Sequence, residues 1–227
     1  MAISTNPLAW LRSVQPRRAI ALLLLLLPLT VGAQTVRDLW LSMPTSLAPY
    51  LSTSLRTQCL DFYDMHTDAQ TDNALKGKSR IDTLTSTFLA ATLSKAHTLQ
   101  MKLLPASGSA SSSSLSSCDS VLCVVRSWDG PKRDSEVQLF DRQWKLLQAP
   151  LTFSADSFVC RPDTMSEERF SRLVALLDPI MFSVSLSPAE NVLLVKLSPV
   201  VPNLEDEKAI EQILVQRKLK WDGKTFK

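Results

Sequence analysis

The chain has 227 residues, 45% of them hydrophobic and 21% charged, with 25 basic and 22 acidic side chains. That length and apolar content supply a proper core, which excludes wholesale disorder. The +3 net charge resides in Arg12, Arg17 and Arg18, and the residues after 33 are charge-balanced, so the body has no overall electrostatic reason to bind nucleic acid or an anionic membrane.

The first element is a leader. The three arginines, with no acidic residue among them, precede an unbroken apolar run over residues 19–27 that continues past Pro28 to Val31-Gly32-Ala33. Residues 19–31 make a 13-residue apolar segment, within the range of a secretory signal and shorter than the ~20 residues of a membrane span. Val31 and Ala33 bracket a cleavage point before Gln34. No cysteine follows within reach, which argues against a lipoprotein. The Arg17-Arg18 pair lacks the polar and aromatic neighbours of a twin-arginine signal, which leaves ordinary export. The expectation is a signal peptide over 1–33 and a periplasmic or secreted body that keeps no membrane span after cleavage, with an uncleaved anchor as the alternative.

Ser46 then stands as the cap of a helix whose apolar positions Leu47, Tyr50, Leu51, Leu55, Cys59 and Phe62 recur at three- and four-residue steps. Pro49 falls in its first turn, where a missing N–H does no harm. Residues 81–85, 87–93 and 98–104 are strand-like and rich in threonine, with Leu99, Met101 and Leu103 alternating with polar neighbours. Residues 107–117, SGSASSSSLSS, read as a polar surface loop. Residues 121–128 and 136–140 form a hairpin around the turn at 129–134, and a further turn at 141–143 folds 144–147 back as another strand.

Thr164 with Glu167 has the spacing of a capping box and opens a helix carrying Phe170, Leu173, Val174 and Leu177, which Asp178-Pro179 ends. Phe182, Val184 and Leu186 alternate, as do Leu193, Val195 and Leu197, and the turn at 187–191 makes them a hairpin. Asn203 caps a helix bearing Ile210, Ile213 and Leu214, and 218–221 closes as a strand. Helices separated by runs of hairpins, with no βαβ rhythm, give an α+β fold: a largely antiparallel sheet of hairpins with three packed helices. Residues 34–227 read as one domain, with two subdomains meeting near 150–163 as the alternative.

The densest polar cluster is Asp61, Asp64, His66, Asp68 and Asp72. Carboxylates with one imidazole suit a divalent cation, but Ala69 stands where a calcium loop needs glycine and Leu75 where it needs the closing glutamate. A solvated helix end and turn accounts for the same residues, so no metal or cofactor is assigned. Cys59, Cys118, Cys123 and Cys160 allow two disulfides in three connectivities; the alternative is that Cys59, on an apolar helical stripe, and Cys123, in VLCVV, are buried thiols. Nucleophilic catalysis has only His66 and His97 to draw on as bases, and no serine lies in a Gly-x-Ser-x-Gly elbow. Beyond Trp10 in the leader, Trp40, Trp128, Trp144 and Trp221 suggest a sugar-stacking surface, although tryptophans beside strands and turns more often pack inward.

Leu39-Trp40 through Met43-Pro44, Pro49-Tyr50-Leu51, Asp119-Ser120-Val121, Gly130-Pro131 with Asp134-Ser135, and Leu177-Asp178-Pro179 together resemble a family of exported Bacteroidales proteins, domain of unknown function 3256, over most of the chain after residue 33. The resemblance implies an envelope location and an α+β domain, and it brings no catalytic residues with it. The expected role is that of a non-enzymatic binding or accessory protein of the cell envelope, taking an envelope protein or a glycan through its sheet or an adjoining groove. The alternative is a carboxylate-dependent hydrolase acting on glycan or peptide.

Overall fold

The computed structural model describes residues 34–106, 120–201 and 203–227; the expected leader, the serine-rich loop and Cys118 lie outside them. Six strands run as an antiparallel meander in chain order: β1 (Thr71–Asp72), β2 (Lys78–Leu84), β3 (Phe88–Ser94), β4 (His97–Pro105), β5 (Ser120–Asp129) and β6 (Arg133–Phe140). A second antiparallel sheet holds β7 (Phe182–Leu186), β8 (Val192–Leu197) and β9 (Arg217–Lys220) in that order. Among the described residues four α-helices accompany them: α1 (Val36–Ser42), α2 (Thr53–Asp64), α3 (Glu167–Ala175) and α4 (Leu204–Glu211). The fold is α+β, as the alternation of hairpins and helices required.

Two apolar clusters occupy opposite faces of the six-stranded sheet. One face presents Leu89, Ala91, Leu99, Met101, Leu122 and Val124 to the layer that carries Val36, Leu39, Trp40, Leu51 and Leu60. The other presents Phe88, Leu104, Val121, Cys123, Val125, Val137 and Leu139 to Leu173, Val184, Val195 and Ile210. The central strands are therefore buried on both faces, which explains the near-continuous apolar run of β5. Residues 34–227 cluster as one compact unit, and the stretch 150–163 enters the second core through Leu151, Phe153 and Phe158.

The seam between the sheets is made by side chains. Along β7 the amides of alternate residues find no partner strand, and each donates to a side chain of the large sheet: Phe182 N to Asp134 Oδ1 (3.3 Å), Val184 N to Ser135 Oγ (3.1 Å) and Leu186 N to Gln100 Oε1 (2.7 Å). Beside Gln100 on β4, Lys102 is 2% exposed. Its ammonium donates to the carbonyls of Ser187 (2.6 Å), Pro188 (3.0 Å) and Glu190 (2.7 Å) in the β7–β8 turn. Three donors meet three acceptors, so the buried charge is fully hydrogen-bonded.

Several local expectations are corrected. The first helix of the body is α1, which the chain reading lacked; Thr35 and Asp38 cap it reciprocally, a pattern legible as Thr-x-x-Asp. The helix expected from Ser46 begins instead after Ser52, whose hydroxyl accepts from Leu55 N. Residues 45–47 form only a 3₁₀ turn, because Pro49 and the chain reversal that buries Leu47, Ala48 and Leu51 leave no room for a continuous helix. The cap of α3 is Ser166 rather than Thr164. That shift puts Glu167 and Glu168 in the first turn, where the helix dipole favours acid. Residues 144–147 form no strand and pair with β6 through the isolated bridge Phe140–Leu146, with Trp144 at φ 64° breaking the extended backbone.

Candidate functional site

Helix α2 packs against β2, and between its C-terminal end and that strand lies a groove of about 470 Å³. Phe62, Tyr63, His66, Asp68, Arg80 and Asp82 line it. β2 is an edge strand for most of its length, because β1 reaches only Lys78 and Ser79 and no strand among the described residues pairs with Arg80 to Leu84 on that side. At Leu84 the Tyr63 hydroxyl substitutes for a neighbouring strand: it accepts from the amide (3.1 Å) and lies 3.4 Å from the carbonyl as donor. Between these two closures Arg80, Ile81 and Asp82 line the groove. A register shift between Ile81 and Thr83 marks a bulge there, and Asp82 at the bulge accepts from Arg80 Nε and Thr92 Oγ1, both 2.7 Å. Bulges and charged side chains are what sheets use to discourage indiscriminate edge pairing.

Of the sequence-predicted polar cluster, His66 and Asp68 line this groove, whereas Asp61, Asp64 and Asp72 are not among its lining residues. Asp64 is taken by a bidentate pair with Arg37 (2.7 and 2.5 Å), which holds its carboxyl below the ordinary carboxylate range. Asp72 pairs with Lys78 at 2.7 Å. His66 turns into the left-handed region at φ 52° and rests its Nδ1 3.1 Å from the Tyr63 carbonyl. Asp61 and Asp68 are exposed, and Asp68 lines the groove. Among the described residues no three His, Cys, Asp or Glu side chains come together as a ligand set. Opposite charge answers two of the four carboxylates, Asp64 and Asp72.

Cys59 and Cys123 are buried free thiols and Cys160 is an exposed one, so two bridges do not form among the described residues. Burial pushes both buried thiols up, away from thiolate reactivity. The tryptophans occupy four separate places. Trp40 is fully buried and donates to Arg56 O (3.0 Å), Trp144 donates to Ser42 Oγ (3.2 Å) and Trp221 to Pro105 O (2.7 Å). Trp128 is 40% exposed, yet the His97 ring stacks on it at 5.2 Å and the Arg126 guanidinium sits 5.4 Å from its centroid. Its π-surface is already engaged.

That contact belongs to a polar group the chain reading missed. His97 and Trp128 are register partners on β4 and β5, Arg126 pairs with Glu136 on β6, and the Tyr50 hydroxyl makes a short hydrogen bond to His97 Nδ1. His97 is 8% exposed; burial, then the charge of Arg126, brings its pKa down to about 4. Burial drives Tyr50 up to about 12. A neutral imidazole of that acidity is a poor base at neutral pH. His97 Nε2 is buried with no partner, and sequence offers no signal for this group because its members lie on four separate segments.

The family model for a protein of unknown function, DUF3256, matches residues 28–226. The chain belongs to this family. Among solved structures, a domain of an uncharacterized protein from Porphyromonas gingivalis W83 is similar, with a TM-score of 0.60 and 22% identity over 85% of this chain and 98% of that one. At that identity the likeness speaks for the fold. No curated protein matches. The family expected from the short motifs is thus the family found, and among the described residues no helix is long and apolar enough to cross a membrane.

Proposed function

We propose that this DUF3256 protein is an exported, non-enzymatic binding protein that accepts an extended segment of a partner polypeptide along the edge of β2. The observation that carries the reading is the edge of β2 that has no partner strand among the described residues between the closures at Ser79 and Leu84, where Arg80, Ile81 and Asp82 line a groove of about 470 Å³. An exposed strand edge recognises the main-chain donors and acceptors of an added strand, and flanking side chains supply specificity. Four residues span about 13 Å, which limits the occupant to a short stretch. Arg80, Asp82 and Asp68 then select its charges from either side. Export is supported by the arginine-led apolar segment over residues 19–31.

Panning a linear-peptide display library on the full chain should yield binders that shift the backbone amide resonances of residues 80–83. Their affinity should fall when alternate backbone nitrogens of the peptide are methylated. Recovery of no binder, shifts confined to other surfaces, or indifference to methylation would refute edge recognition. The second reading, a carboxylate hydrolase, rests on Asp68 and Asp82 lining one groove. It displaces the first if cleavage of a glycan or peptide is found and Asp68→Asn or Asp82→Asn abolishes it. For export, protein recovered from the envelope fraction should begin at Gln34, and an intact cytoplasmic precursor would contradict it.

A further inference from the structure

A second cleft, of about 330 Å³, gathers Lys76, Lys78, Arg80 and Lys95 in a chain that is charge-balanced beyond residue 33. Lys78 pairs with Asp72 and Arg80 with Asp82, each at 2.7 Å. Among the described residues no carboxylate lies within ion-pair distance of Lys76 or Lys95, so two of the four cationic residues lining the cleft carry no ion pair. They come from different loops, Lys76 from the β1–β2 turn and Lys95 from the β3–β4 turn.

The loop frame is rigid. Buried Asn73 donates from Nδ2 to Ser79 Oγ (3.0 Å) and to Leu93 O (2.9 Å), and its Oδ1 accepts from Leu75 N and Gly77 N, both at 3.0 Å. One amide therefore fixes the β1–β2 turn and fastens it to the end of β3, next to Ser94 and Lys95. Gly77 packs so closely that a Cβ there would lie 3.3 Å from the Asn73 amide nitrogen. Lys76 itself sits at φ 58°, a left-handed conformation uncommon outside glycine. The arrangement fixes the backbone positions from which the two lysines project.

We propose that this cleft binds a phosphate monoester. Such a group carries a charge of about −1.5 to −2 at neutral pH, which matches the two unanswered ammonium groups, and lysine serves as a point charge for phosphate. Gln70 and Ser94 also line the cleft and bring an amide and a hydroxyl that can donate to further phosphoryl oxygens. The same chemistry is offered by a small soluble ester and by a phosphorylated lipid headgroup. The site joins the β1–β2 and β3–β4 turns to the adjoining ends of β2 and β3, and shares only Arg80 with the groove along β2.

The test uses the full chain, titrated calorimetrically with inorganic phosphate and with glycerol 3-phosphate, and sedimented with phosphatidylcholine vesicles with and without phosphatidic acid. Lys76 and Lys95 are exposed, so the Lys76→Gln/Lys95→Gln variant should keep the wild-type circular dichroism spectrum. It should bind the soluble esters at least about tenfold more weakly, the loss of about 1.4 kcal/mol per decade, while a Lys145→Gln/Lys208→Gln control binds like wild type. No saturable binding by wild type, equal affinity in the double variant, or an equal loss in the control would overturn the proposal. If the double variant also loses the phosphatidic-acid-dependent part of sedimentation, the source is the lipid headgroup; if that part is unchanged while glycerol 3-phosphate binding falls, the source is soluble.

Discussion

Acidification should destabilise this protein in part through His97. In the native state its imidazole is enclosed by Tyr50, Trp128 and the Arg126–Glu136 pair, and burial followed by the Arg126 charge holds its pKa at about 4 against an ordinary 6.5. Between those values the unfolded chain takes up a proton that the folded chain refuses, so stability is present above pH 6.5 and is lost as pH falls toward 4. At pH 4.5 the unfolded form is favoured by a proton-binding ratio of roughly 80, or about 2.5 kcal/mol, relative to pH 7.5. Urea unfolding followed by far-ultraviolet circular dichroism, at both pH values, measures it. Wild type should lose about 2.5 kcal/mol more than His97→Gln between pH 7.5 and 4.5. Paired carboxylates such as Asp38, Asp64 and Asp129 also lose stability in acid, but they do so in both proteins and cancel in the difference. Equal losses in the two proteins would refute the enclosure of a neutral imidazole.

At the alkaline end, one of the two tyrosines should ionise at about 12 in an ultraviolet titration; Tyr50→Phe should remove that step, and stability in wild type should fall as pH rises from 10 toward it. Lys102→Met should lower stability by about 2–3 kcal/mol, since three charge-assisted bonds vanish while two of the freed carbonyls, at exposed Pro188 and Glu190, regain water; an unchanged urea midpoint would show the ammonium to be dispensable. A thiol reagent should modify Cys160 in the native protein at once and reach Cys59 and Cys123 only on unfolding, a sequence of events that early labelling of Cys123 would contradict.

Strong alternation made the hairpins readable. Phe182, Val184 and Leu186 against Leu193, Val195 and Leu197 gave β7 and β8 nearly to the residue, and Asn203 gave the cap of α4. The first helix of the body was missed because a seven-residue helix carries too few turns for periodicity to register, although its Thr35–Asp38 cap was in plain text. The polar side of β4 misled for a different reason. Gln100 and Lys102 look like a solvent face, and only the return of β7, more than eighty residues later, turns that face into an interior seam. The acidic cluster was legible as composition, but its partners Arg37 and Lys78 lie on other segments, so its neutralisation could not be read from spacing. The groove along β2 depends on how short β1 is, a property of pairing that local sequence does not encode.

A buried lysine or arginine ordinarily marks a place to look for chemistry, because desolvation shifts its pKa and frees a donor or a base. Here the two buried cations among the described residues, Arg56 and Lys102, each donate to main-chain carbonyls at joints of the fold. Arg56, 1% exposed, donates to Leu51 O and Leu41 O at 3.1 and 3.2 Å and to Thr53 Oγ1 at 3.0 Å, tying α1, the following turn and the start of α2 together. Lys102 does the same for the two sheets. Carbonyls suit this task because, unlike a carboxylate, they bring no second charge to desolvate, so each joint buries one ion rather than a pair. Under the proposals above this becomes a division of labour: perturbed interior groups hold segments in register, and recognition would fall to the ordinary charges of the β1–β2 and β3–β4 turns and the open edge beside them. Substitutions at Arg56 or Lys102 should therefore change unfolding midpoints without altering the affinity of the protein that remains folded, whereas substitutions at Lys76, Lys95 or Arg80 should do the reverse.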